Sequence, residues 1–140
     1  MKRSAIREAA FKLIYSLEMQ EIENLDEQMK LYFECENITE NEAKEYIIDA
    51  VKGIKEHLEE INILIEKNLK ADWTLKRISK VDFSILKLAI YEIKYKNLPY
   101  KVAINEALEI AKKYGDENSP SFINGILANI IKQAGITNEE

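Results

Sequence analysis

Residues 99–127 read PYKVAINEALEIAKKYGDENSPSFINGIL, and this stretch decides the fold. From Val102 to Tyr114, Ala103, Ala107 and Ala111 recur every four residues with Ile104, Leu108 and Ile110 beside them. That spacing predicts a helix with one apolar face, and its row of small residues lets a second helix approach closely. Asn105, Glu106, Glu109, Lys112 and Lys113 fall on the opposite, wet face. Gly115 is placed to stop the helix. After the polar loop, Ser119 suits an N-cap and Pro120 a first helical position. Phe122, Ile123, Ile126, Leu127, Ile130 and Ile131 then carry an apolar stripe towards Gly135. Such a helical pair needs further helices to cover it.

Upstream, Lys96-Asn97-Leu98-Pro99 reads as a turn, and Ser79 with Asp82 three residues later reads as an acidic capping box. The helix from Lys80 to Lys96 is apolar around most of its circumference, which predicts a central position. Glu92 is the anomaly, because helical rotation puts it between Val81, Ile85 and Leu88. A buried carboxylate needs a partner, and Arg77 or unpaired backbone amides are the candidates. Its expected role is structural, since no second carboxylate, histidine or thiol is placed to support acid–base catalysis. The segment around Trp73 reads as a turn or very short helix anchored by the indole.

Nearer the amino terminus, Thr39-Glu40-Asn41-Glu42 has the spacing of a capping box and opens a long helical region reaching about Leu69. Gly53 weakens that helix locally and permits close approach of a neighbour. A shorter helix spans Leu25 to Cys35, with Asn24 as its cap. The first helix carries its stripe on Ile6, Ala9, Ala10, Leu13, Ile14 and Leu17. Beside it runs a four-spaced ladder of Arg3, Arg7, Phe11 and Tyr15, side chains that neighbour one another on a helix. Guanidinium groups fork onto phosphates and aromatic faces stack on unpaired bases. The same ladder also reads as a solvated basic edge with its rings at the core margin.

The chain has 140 residues, 46% hydrophobic and 32% charged, which fits one folded domain. Four glycines and two prolines favour long helices over many short strands. A single cysteine, Cys35, excludes an internal disulfide. His57 beside Glu59 and Glu60 reads as surface, and no metal or cofactor is expected. No apolar run reaches membrane-spanning length, so the cytosol is the expected compartment. The net charge of −5 is unevenly spread. Residues 1–17 hold four basic and one acidic residue, residues 18–68 five and fifteen, residues 69–114 ten and five. The two basic segments point to an anionic partner if folding brings them together.

Three blocks resemble the NusB transcription antitermination family: IREAAFKLIYSLE, DWTLKRISKVDFSILKLAIYEI, and above all LPYKVAINEALEIAKKYGDENSPSFINGIL. The resemblance runs nearly the full chain and is weakest between about residues 21 and 68. It implies an all-α, compact bundle of about seven helices in two helical subdomains, residues 1 to about 70 and about 71 to 140. It implies a non-enzymatic factor that binds boxA-like single-stranded RNA of nascent ribosomal transcripts with the ribosomal protein NusE, within a processive transcription complex. The family's arginine-rich motif falls on Lys2, Arg3 and Arg7, followed by Tyr15. Ser4 and Ala5 stand where more arginine-rich members carry basic residues. The rest of the implied RNA surface takes in Tyr100, Lys101, Asn118, Ser119 and Phe122, and Asp82 lies in the implied NusE-facing region. Trp73, Arg77 and Glu92 match positions of structural role.

With about four phosphates neutralised, log K against log salt is expected to slope at roughly −3. Replacing Arg3 and Arg7 together by alanine is expected to weaken RNA binding with helical content unchanged. The competing readings are a protein-only helical adaptor and an RNA-modifying enzyme, the latter poor because no glycine-rich cofactor loop is present. Monomer and homodimer both remain open.

Overall fold

The computed structural model describes residues 1–135, which hold seven α-helices and one 3₁₀ turn. In order these are α1 (Arg3–Glu18), α2 (Leu25–Cys35), α3 (Asn41–Glu56), α4 (Leu58–Lys67), the 3₁₀ turn Leu75–Arg77, α5 (Lys80–Tyr95), α6 (Tyr100–Tyr114) and α7 (Ser119–Ala134). The all-helical architecture expected from the spacing is present. As its apolar circumference requires, α5 is the axis, packed against α1, α3, α4, α6 and α7. It runs antiparallel to α1, since Arg7 meets Glu92 and Glu18 meets Lys87. Ala103, Ala107 and Ala111 are buried on α6, which packs extensively against α5 and α7. One continuous hydrophobic core draws on all seven helices, with a small satellite of Ile93, Ala103 and Ile131. The connector between α4 and α5 contains residue 70, and the core passes beneath it without a break.

Local chemistry explains most helix ends. The Asn24 side chain accepts from the Glu27 amide, and Ser79 accepts from the Asp82 amide at 3.1 Å, as expected. Three ends differ from expectation. Thr39 forms no capping box: Glu40 stands at the N-cap and binds the Met1 ammonium at 2.6 Å instead. The long helix through residue 57 divides into α3 and α4 at His57, whose ring stacks on Tyr95 with centroids 3.8 Å apart. Ser119 is not the N-cap of α7 but its first residue; the Asp116 carboxylate accepts from the Asn118 and Ser119 amides. That substitution is physically sensible, because a carboxylate accepts several amides and favours a helix amino end.

Gly53 has a clear reason. Tyr91 of α5 lies across it, so close that an added Cβ would overlap the ring, while the Tyr91 hydroxyl donates to Asp49 at 2.9 Å. The glycine is the seat into which α5 settles on α3.

Candidate nucleic-acid interface

The arginine–aromatic ladder of α1 is the first element to resolve. It turns inwards at its second rung. Arg7 is only 7% exposed, and its Nε donates to the Glu92 carboxylate at 3.0 Å, with Glu106 3.9 Å from its Nη1. Burial pushes the Glu92 carboxyl up, against the pull of Arg7. Burial acts on Arg7 in the opposite sense, yet the nearby carboxylates leave the guanidinium raised overall. The Tyr46 phenol, also raised by burial, faces the same pair. Arg7 therefore answers the anomaly of Glu92, in place of Arg77 or backbone amides, and has no free fork for a phosphate. Phe11 is buried against Tyr114, with centroids 5.2 Å apart, and Tyr15 is half-buried beside it. Only Arg3 among the ladder's cations faces solvent.

The remaining candidates fall at two ends of the bundle. At one end, Ser4 donates to Glu106 and Arg3 shares a cavity wall with Lys96 and Leu98, so the start of α1 lies beside the start of α6. Lys2, Arg3 and Lys101 are exposed there, and half-buried Tyr100 packs on the Ile93–Ala103–Ile131 satellite. At the other end of α6 lie Asn118, exposed, and Phe122, half-buried. Ser119 does not join them: it is 1% exposed and its Oγ accepts from the Asp116 amide. It ties the loop together and leaves no hydroxyl for a ligand.

Asp82, on the first turn of α5, is 8% exposed. Ser119 and Ser79 face its carboxylate, but Oδ1 is buried without a partner. Burial raises its pKa, with the Asp116 charge adding and the two serine contacts opposing. An acid raised in the folded state is stabilising below its unfolded pKa of roughly 4, and that contribution is lost as pH rises through the folded value. Asp82→Asn is therefore expected to gain stability over the wild type between about pH 3 and pH 7. Urea midpoints measured across that range check it; a difference independent of pH would mean the carboxylate is comfortably solvated.

Trp73, in the segment expected to form a turn or very short helix, is 44% exposed, and its ring lies 5.9 Å from that of Phe122. A groove of about 470 Å³ runs beside them, bordered by Lys70, Asn118 and Asn129. The only sequence signal was the proximity of Lys70 and Asp72, which make a solvated setting for an indole. Among the described residues no group of His, Cys, Asp or Glu is arranged to hold a metal, and no helix is long and apolar enough to cross a membrane. The available chemistry is that of binding: exposed cations at one end, aromatic faces and amides at the other.

Comparison with known proteins fits this picture. Residues 4–132 match the NusB family. A transcription antitermination protein NusB from Acetivibrio thermocellus is 51% identical over 133 residues, covering 94% of this chain and 90% of that protein. One from Listeria monocytogenes is 44% identical over 131 residues, covering 93% and 96%. Among solved structures, T. maritima NusB superposes with a TM-score of 0.85 at 39% identity, covering 95% of this chain and 92% of that one. A complex of the antitermination factors NusB and NusE with double-stranded RNA aligns at 0.84 and 30% identity, covering 94% and 96%. With matches of this length and identity resting on the same all-helical fold, the chain belongs to the NusB family.

Proposed function

We propose that this chain is a cytoplasmic transcription antitermination factor. It binds boxA-like single-stranded RNA of nascent ribosomal transcripts together with the ribosomal protein NusE, and so stabilises a processive transcription complex. The observation that carries the reading is the structural match, over 94% of this chain, to a NusB solved with NusE and double-stranded RNA. The factor acts by binding, without catalysis or a cofactor. Lys2, Arg3 and Lys101 neutralise phosphates and set the strand's position, while Tyr15, Tyr100 and Phe122 offer aromatic faces and Asn118 reads a base edge. Asp82 acts in NusE docking by ordering the start of α5, since its own carboxylate is buried. The proposed N-terminal part, to about residue 70, and C-terminal part work as one unit through the shared core.

Removing Arg7 from the phosphate contacts changes the expected salt dependence. Three cations instead of four give a log K against log salt slope of about −2 for single-stranded RNA. Anisotropy of labelled boxA-like RNA between low and moderate salt measures it, and an affinity that ignores salt would overturn the phosphate assignment. Because the solved relative holds double-stranded RNA, the titration includes a duplex competitor, which is expected to compete poorly. Capture of NusE with and without RNA tests the protein-only adaptor. That alternative predicts NusE binding with no RNA affinity in either arm.

A further inference from the structure

We propose that Trp73 and Phe122 form a stacking site for an unpaired base of single-stranded RNA, with Gly125 kept open as its floor. The inference rests on the RNA reading above and adds residues to it. Trp73 comes from the connector before α5 and Phe122 from the first turns of α7, so two separate elements converge to expose a pair of rings inclined at 35°. A large ring left in solvent where the core lies within reach is a feature that folding alone does not call for.

Gly125 supplies the independent observation. It lies inside α7, where glycine weakens a helix, and an added Cβ would meet nothing within 4 Å. No neighbour in the chain requires the missing side chain, in contrast to Gly53. What the absence does is leave the groove beside the rings unobstructed, since Gly125 lines it.

The lining selects the occupant. The two rings give faces for stacking, and Asn118 and Asn129 carry donors and acceptors that match base edges. Lys70 is positioned at the rim for a phosphate. The rest of the lining is mostly apolar, with Leu69 and Ile126 beside the rings, which suits the face of a base while the asparagines meet its edge.

Trp73 is the only tryptophan of the chain, so indole emission reports on this site alone. Labelled boxA-like RNA is titrated into the full chain in the presence of NusE, with anisotropy read for binding and emission for stacking. The Trp73→Phe protein serves as the emission blank. RNA is expected to quench the indole. Trp73→Ala is expected to weaken binding roughly ten-fold, within the range for loss of one stacked base, whereas Trp73→Phe keeps the affinity. Gly125→Gln, with a better helix former, is expected to retain helical content by circular dichroism but weaken binding and remove the quench. RNA that binds with unchanged emission and equal affinity for Trp73→Ala would overturn the stacking site and leave the RNA reading intact. Absence of RNA binding by the wild type in the anisotropy channel would overturn both. Quenching by NusE alone, with none added by RNA, would make the groove a protein contact and overturn the inference.

Discussion

Arg7→Ala is expected to lower the unfolding free energy by about 3–5 kcal/mol, the range for removing one partner of a buried ion pair. The size follows from what is left behind. Glu92 is 5% exposed and sits on the central helix, so its carboxylate cannot swing into water when the guanidinium is removed. It must either stay charged without its partner or take up a proton, and both cost stability at neutral pH. Urea unfolding followed by circular dichroism measures the loss, and Arg3→Ala, on an exposed side chain, is expected to stay within about 0.5 kcal/mol of wild type. Replacing both partners by apolar residues, Arg7→Met with Glu92→Leu, is expected to recover most of the loss. An Arg7→Ala protein as stable as wild type would mean the pair is not the buried tie described above. The paired replacement of Arg3 and Arg7, expected from sequence to leave helical content unchanged, joins two arginines that differ in kind, because only Arg7 is buried and paired with Glu92.

Gly53→Ala is expected to destabilise by about 1–3 kcal/mol, although alanine is the better helix former by about 1 kcal/mol. The conflict is steric, because the new methyl group would overlap the Tyr91 ring. Tyr91 is 5% exposed and its hydroxyl is held by Asp49, so the ring has little freedom to retreat. A Tyr91→Leu background separates the two effects. There the added methyl has room, and Gly53→Ala is expected to become neutral or stabilising. A double-mutant cycle on urea midpoints reads this coupling directly. Equal destabilisation in both backgrounds would place the cause elsewhere in α3.

The fold was largely legible because helices announce themselves locally. The four-residue alanine row of α6, the Ser79–Asp82 start of α5 and the Gly135 end of α7 are all contained within a few neighbouring residues. Even the burial of Glu92 followed from rotation about one axis. What stayed hidden were the pairings between elements. Arg7 and Glu92 are 85 residues apart, and Asp116 takes over a capping role through a loop conformation that spacing does not encode. The α1 ladder misled for the same reason. A helical wheel gives the angle of Arg7 relative to Arg3, but only the position of α5 decides which of them is covered. The indole of Trp73 shows the same limit: its place at a turn was readable, but only the course of the connector decides that the ring lies outside.

The arrangement of the candidate contacts at opposite ends of α6 also acts as a ruler. With 15 residues, α6 separates Lys101 from the Asn118–Phe122 end by ~22 Å. A strand touching both ends spans about six or seven nucleotides at the ~3.4 Å rise of a stacked strand, and fewer where unpaired bases let it extend. An oligonucleotide too short to span that distance even when extended reaches only the cationic end or only the aromatic one. On the RNA reading proposed above, binding is then expected to depend on footprint length as well as on base identity.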